Sequence, residues 1–196
     1  MAKAAAPRKK AKPADGMGGK GKRSEQPANA TVSLPRVPAD YGLRGTRFLS
    51  WNHAEERLVR SRNYWICTAR PDGRPHSIPV WGMWMDGALY FGTGRDTRKA
   101  KNLSHNPAVS VHLESGDDVV ILEGTVEPVD IGADKPLRKS LDGESRRKYK
   151  MPLAVMEGVV LYRLRPRVAL AWTEKEFPDN ATRWEFTTKQ EARSKG

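Results

Sequence analysis

Two threonines, Thr93 and Thr97, are followed closely by three cations, Arg98, Lys99 and Lys101. They follow a strand-like run, residues 89–91, and a Gly-Thr-Gly turn, and we predict that a helix begins near residues 96–97. A helix N-terminus offers free backbone N–H groups and positive partial charge, which favour an anion. Hydroxyls and cations in the same turn add charge-assisted hydrogen bonds. This stretch therefore predicts a phosphate site.

The remaining chemistry-bearing residues form no obvious catalytic or metal-binding group. The four histidines lack metal-ligand spacing, so we predict no metal site. Cys67 lies in an apolar strand-like run, where a buried thiol is more common than a nucleophile. The sequence also lacks a nucleophile-elbow pattern. We predict no catalytic side chain and expect a cofactor to bring the chemistry.

Residues 77–85, SIPVWGMWM, form a strand-like run that is apolar on both faces. Such a strand is covered once by its own barrel and once by a partner, a cofactor or both. Pro79 offers no ladder N–H, which confines it to an edge or a bulge, where backbone groups can hydrogen-bond a flat ring. An ordinary core strand with an irregularity explains the pattern equally well.

The surrounding sequence predicts a mainly β fold. Strands are expected at residues 64–69, 74–85, 89–91, 109–113, 119–129, 159–165 and 181–186, with 168–172 as a further strand or a continuation. Pro-Asp-Gly at 71–73 and Asp-Gly at 86–87 predict tight hairpin turns. Ser50 is expected to cap a helix that ends near residue 61, and a helix over 133–150 is expected to be interrupted at Pro136 and Gly143. Short connections between strands indicate an antiparallel barrel.

Charge and composition divide the chain into three parts. Residues 1–33 hold eight Lys or Arg against two acidic residues, which is half of the net charge of +12. We expect residues 1–40 to be a disordered basic tail, 41–188 the folded domain, and 189–196 a C-terminal tail. The first tail could contact nucleic acid, but a solvated leader is favoured. One cysteine and no apolar run of roughly 20 residues predict a cytoplasmic protein without a membrane span.

Three segments together resemble a known family: PDGRPHSIPVWGMW, LYFGTGRDTRKAKNLSHNPAVSV and VVILEGTVEPV. They are similar to the pyridoxamine 5′-phosphate oxidase-like split β-barrel proteins, which include flavin- and deazaflavin (coenzyme F420)-dependent oxidoreductases. The resemblance covers about residues 45–187. It implies a six- to seven-stranded antiparallel split barrel that forms homodimers, with FMN or F420 in a groove between the two barrels.

The resemblance also implies a set of cofactor-binding residues. Arg98 and Lys99 are expected to pair with the cofactor phosphate, beside the hydroxyls of Thr93 and Thr97. Lys101 is expected near a more distal anionic group. Asn102 matches the same motif, and backbone groups of the second strand are expected to border the ring: Ile78, Pro79, Val80 and Trp81.

The C-terminal sequence departs from the vitamin B6 oxidases. No histidine follows position 112, so their C-terminal Arg-x-His arrangement is missing and oxidation of pyridoxamine phosphate is not expected. We therefore predict an F420- or FMN-dependent oxidoreductase that transfers a hydride to or from a small unsaturated or aromatic substrate. Arg183 and Trp184 are candidates for the substrate pocket, although packing of the terminal strand is favoured for Trp184. The alternative is a non-enzymatic flavin, F420 or haem carrier.

Overall fold

The computed structural model describes residues 26–38, 41–153 and 157–187. The described residues form the strands β1 Ala30–Ser33, β2 Asn63–Ala69, β3 Pro75–Met85, β4 Ala88–Gly94, β5 Ala108–His112, β6 Asp118–Val129, β7 Val159–Thr173 and β8 Thr182–Phe186. The helices are α1 Trp51–Arg60, α2 Arg98–His105 and α3 Lys135–Tyr149. None of the helices in these residues is long and apolar enough to cross a membrane.

The strands form a closed antiparallel barrel. Neighbours pair in the order β1-β8-β7-β4-β3-β2-β5-β6, and an additional β6–β7 pairing closes β2 to β7 into a ring, while β8 and β1 extend the sheet beyond β7. At the β3–β4 hairpin, Asp86 and Gly87 have φ of 50° and 69°, the left-handed conformation that a two-residue hairpin turn requires. The mainly β barrel predicted from the sequence is confirmed.

Two apolar clusters flank the barrel wall. The larger one fills the interior, where α1 buries Trp51, Ala54 and Leu58 against inward-facing strand residues. The smaller one lies between the barrel and α3 and includes Leu141 and Tyr149. The three-to-four-residue spacing on each helix places its apolar residues on one face, so α1 and α3 each cover a different part of the barrel.

The segment expected as a tail contains a strand. β1 pairs with β8, with Val32 opposite Trp184, and Ala30 and Val32 pack against the main cluster. The expectation of disorder to residue 40 is therefore wrong at Ala30–Ser33, because these alternating apolar side chains find a partner strand at the far end of the chain. Residues 1–25, 39–40 and 188–196, which include most of both predicted tails, lie outside the described residues.

The predicted interruption of α3 is also wrong. α3 is one helix of 15 residues with Pro136 in its first turn, where the missing N–H has no helical acceptor. Gly143 lies in its interior without breaking it, because the buried face of Leu141, Ser145 and Tyr149 holds the helix on the barrel.

β7 is one continuous strand of 15 residues, so residues 168–172 continue the strand rather than add one. The register with β6 shifts between Glu123, which lies opposite Val168, and Gly124, which lies opposite Pro166, so the register skips Arg167. A Cβ atom at Gly124 would lie 2.9 Å from the backbone oxygen of Arg165. A side chain at this position would therefore collide with the backbone of β7, and glycine avoids the collision.

Candidate functional site

The N-terminus of α2 carries a continuous chain of hydrogen bonds. Lys99 Nζ donates to Thr93 Oγ1 at 2.8 Å, and the hydroxyls of Thr93 and Thr97 are 2.9 Å apart. Thr97 Oγ1 donates to the backbone oxygen of Gly94 at 2.8 Å and accepts from the N–H of Ala100 at 3.2 Å. Thr97 is thus the N-cap of α2, and it fixes the first turn of the helix against the end of β4.

Lys99 is a buried cation, with only 6% of its surface exposed. Among the described residues, no carboxylate pairs with its ammonium group, and Thr93 is its hydrogen-bond partner. Burial lowers the pKa of Lys99 because the charged form loses its hydration. A buried charge is normally paired, so this geometry suits an anion at the start of α2.

The other predicted residues of α2 divide between the surface and the interior. Arg98 and Lys101 are exposed. Asn102 is fully buried, and its Nδ2 donates to Thr68 Oγ1 on β2 at 2.9 Å. The structure therefore brings Thr93, Thr97 and Lys99 together, leaves Arg98 and Lys101 at the helix surface, and turns Asn102 towards β2.

β3 has an open edge along the predicted ring-binding segment. Residues 75–81 pair with β2, whereas only residues 82–85 pair with β4. Pro79 lies in the first half, where its missing N–H costs no ladder hydrogen bond on the open side. Ile78 and Trp81 are 38% and 47% exposed. These features leave backbone groups and apolar side chains available for a ligand or a partner.

A cavity of about 970 Å³ lies between β3, β4, β6, β7 and the end of α3. Its wall is mainly apolar, with Arg95 and Asp130 as charged lining residues. Of the predicted site residues, Trp81 and Thr93 line the cavity, and the others lie outside its lining. The cavity therefore adjoins the predicted groove but is not identical with it.

The structure adds residues that the sequence did not single out. The ring of Tyr149, from α3, stacks on Trp81 with centroids 4.7 Å apart and planes inclined by 10°. The guanidinium of Arg62 lies 5.0 Å from the Trp81 ring centroid and 5.7 Å from that of Tyr149. The only local signal is the helical spacing of Tyr149 with Leu141 and Ser145, which predicts a buried face without indicating what it contacts.

The two candidate pocket residues of the C-terminal strand lie elsewhere. Trp184 is fully buried in the main cluster, and its ring meets that of Trp51 edge-on at 5.3 Å. Arg183 Nη1 pairs with Glu185 at 2.6 Å. Neither residue lines the cavity. The pocket interpretation of Trp184 is therefore corrected, because alternation along β8 turns this side chain into the barrel.

The chain is similar to known proteins over most of its folded part. A family model described as pyridoxamine 5′-phosphate oxidase matches residues 51–176. The conserved hypothetical protein Rv2991 of Mycobacterium tuberculosis is 26% identical, with 68% of this chain and 91% of that chain covered and a TM-score of 0.57.

Two further solved structures are similar. A protein named F420 reductase is 25% identical, with 59% of this chain and 94% of that chain covered and a TM-score of 0.47. A heme binding protein from Mycobacterium smegmatis is 15% identical, with 72% of this chain and 60% of that chain covered and a TM-score of 0.50. No curated protein matches the sequence.

Proposed function

The chain belongs to the pyridoxamine 5′-phosphate oxidase family, and on that premise we propose that it is an oxidoreductase that uses F420 or FMN. It transfers a hydride between this cofactor and a small unsaturated or aromatic substrate. Pyridoxamine phosphate is not the proposed substrate, because no histidine follows position 112 to form the Arg-x-His arrangement.

The observation that carries the proposal is the buried ammonium of Lys99, with which no carboxylate of the described residues pairs. It lies one residue inside α2, hydrogen-bonded to Thr93, where backbone N–H groups also favour an anion. Both cofactors carry a phosphate, and a phosphate would provide the negatively charged partner for the ammonium of Lys99. The residues present therefore fit the group, with Lys99, Thr93 and Thr97 holding it and the exposed Arg98 and Lys101 adding positive charge.

The open edge of β3 supports the ring-binding half of the proposal. In the described residues, 78–81 have no strand partner on the β4 side, so those of their backbone groups that face away from β2 can hydrogen-bond ring heteroatoms. The exposed side chains of Ile78 and Trp81 are the surface that we propose a second copy of the chain covers in a homodimer. A bound ring would be bordered by the open strand edge, by the cavity wall and by the partner.

The bound cofactor supplies the hydride chemistry. The protein contributes binding of the phosphate, orientation of the ring along β3, and exclusion of water by the apolar cavity wall. We assign no acid or base to a side chain of this chain.

The test is to add FMN and F420 separately to the purified protein and to follow ring fluorescence. The same titrations are repeated with the double variant Arg98→Ala and Lys99→Ala. Losing a charge-assisted phosphate contact is expected to weaken binding about 10- to 150-fold. Lys139→Ala, on the exposed face of α3, is the matched control and is expected to bind as the wild type does.

The outcomes separate the proposal from its alternatives. If neither cofactor binds below high micromolar concentration, or if the double variant binds normally, the proposal is wrong. Binding without turnover of the reduced cofactor by trial alkenes and aromatic substrates would favour a carrier over an enzyme. The molar mass of the cofactor-loaded protein in solution tests the homodimer.

A further inference from the structure

β3 changes its partner strand at Gly82. Trp81 is the last residue that pairs with β2, and Gly82 is the first that pairs with β4. A strand that leaves one neighbour and joins another must satisfy the backbone groups at the crossing point in some other way. The position of the open edge, and of Trp81 at its end, depends on how that crossing point is held.

Two side chains of α3 bind both backbone groups of Gly82. The N–H of Gly82 donates to Tyr149 Oη at 2.8 Å, and the same hydroxyl lies 2.7 Å from the Gly82 oxygen. Lys148 Nζ donates to the Gly82 oxygen at 2.9 Å and to the hydroxyl of Tyr64 at 2.8 Å. We name this group of Lys148, Tyr149 and Gly82 the Gly82 clamp.

The Gly82 clamp also fixes the side chain at the end of the open edge. The ring of Tyr149 stacks on Trp81, and Tyr149 Oη lies 2.8 Å from the backbone oxygen of Arg62. The crossing point is tightly packed, because a Cβ atom on Gly82 would lie 3.0 Å from Leu89 Cδ1 and 3.0 Å from Tyr64 Cδ2. One helix end therefore sets both the backbone and the side-chain position where the open edge ends.

We propose that Lys148 and Tyr149 are positioning residues that hold the open edge of β3, residues 78–81, in the conformation that binds the cofactor ring. This inference rests on the proposed function, because it concerns the ring end of the same site. It assigns α3 a role beyond covering the barrel. The phosphate end at α2 is independent of it, since no residue of the clamp contacts Thr93, Thr97 or Lys99 in the hydrogen bonds of the described chain.

Burial at the clamp is consistent with this role. It lowers the pKa of Lys148 to about 8 and raises the pKa of Tyr149. The ammonium of Lys148 also lies 4.7 Å from the ring centroid of Tyr64 and 5.6 Å from that of Tyr149. A lysine in such surroundings is held by specific contacts rather than by solvent.

The experiment compares Tyr149→Phe and Lys148→Met with the exposed control Lys139→Met. Two measurements are made: hydrogen exchange of the Gly82 amide in the cofactor-free protein, and binding of FMN and of riboflavin, which lacks the phosphate. Both clamp variants are expected to accelerate hydrogen exchange of the Gly82 amide. They are also expected to weaken the binding of FMN and of riboflavin by the same factor, about 2- to 10-fold, as for one lost hydrogen bond. They are also expected to shift the absorption band of the bound ring.

Lys99→Met provides the contrast, because it is expected to weaken the binding of FMN and to leave the binding of riboflavin unchanged. The inference is overturned if both clamp variants keep the Gly82 exchange rate, the ring spectrum and both affinities of the Lys139→Met control. It is also overturned if they weaken FMN alone. If the wild-type protein binds neither FMN nor F420, the proposed function fails and this inference with it, a result distinct from normal wild-type binding with unaffected clamp variants.

Discussion

The proposed phosphate end and the proposed ring end of the candidate site are built in different ways. At the phosphate end, the residues that meet one another lie within seven positions, from Thr93 to Lys99. At the ring end, Gly82 is held by Tyr149, which is 67 residues away along the chain. The first arrangement follows from one turn and one helix start, whereas the second requires the whole barrel and α3 to be in place.

Two lysines, Lys99 buried and Lys148 half-buried, show what this difference is expected to mean for function. Lys99 has a neutral hydroxyl as its partner, so its charge is left available for an anion. Lys148 donates to a backbone oxygen and a hydroxyl and lies against two aromatic rings. The comparison predicts that Lys99, with one hydrogen-bond partner among the described residues, is a binding group, and that Lys148, with two partners and two rings, holds the structure around the site.

The largest effect is expected from Lys99→Met. Cofactor affinity should fall about 10- to 150-fold, because a charge-assisted phosphate contact is lost. The free energy of unfolding of the cofactor-free protein should rise at the same time, because burial of an unpaired charge is relieved. Fluorescence titration and urea unfolding measure the two quantities.

The control for Lys99→Met is Lys101→Met, which changes an exposed lysine of the same helix. It should leave the free energy of unfolding within about 0.5 kcal/mol of the wild type. A loss of stability in Lys99→Met without cofactor would show that Lys99 serves the fold, and the contrast with Lys148 would disappear.

The next largest effect is expected from Gly82→Ala. The added methyl group would lie 3.1 Å from the backbone oxygen of Tyr90 and equally close to two packed side chains. Overpacking of this kind costs about 1–3 kcal/mol in the free energy of unfolding. Gly92→Ala on β4 is the matched control, since among the described residues the nearest atom to its Cβ would be Val159 Cγ1, at 3.5 Å. Equal urea midpoints for the two variants would contradict a tight crossing point at Gly82.

The difference between contacts that are close in the sequence and contacts that are far apart also explains what could be predicted from the sequence. The hairpins, the α2 start and the barrel follow from local signals: turn residues, a capping threonine, and alternating apolar positions. β1 could not be predicted, because Val32 gains its burial from Trp184 at the far end of the chain. The Gly82 clamp could not be predicted either, because it too joins residues that are far apart in the sequence. The position of Trp184 could not be predicted because the sequence does not show which face of β8 packs into the barrel.

A smaller effect is expected from Thr97→Ala at the phosphate end. The variant removes the acceptor for the N–H of Ala100, and loss of an N-cap costs about 1 kcal/mol in the free energy of unfolding. Thr97→Ser keeps the hydroxyl and should restore most of that stability. Urea unfolding of both variants checks the prediction. Equal destabilisation by serine and alanine would mean that the methyl group, not the hydroxyl, is what α2 needs.

The smallest effect is expected in the pH dependence of stability, at the clamp. Burial lowers the pKa of Lys148 to about 8 in the folded protein, against 10.5 as its ordinary value. Between these values the unfolded chain binds more protons than the folded one, so the free energy of unfolding should rise with pH. Well below pH 8 the Lys148 amine is protonated in both the folded and the unfolded state, so its contribution to the free energy of unfolding is constant. This increase in the free energy of unfolding is small because the amine is partly exposed. After losing its proton, the amine also keeps hydrogen atoms to donate to Gly82 and Tyr64.

Urea unfolding of the wild type and of Lys148→Met from pH 7 to 9.5 isolates the contribution of Lys148. The free energy of unfolding of the wild type should increase relative to that of the variant as pH rises. A constant difference would contradict the lowered pKa of Lys148.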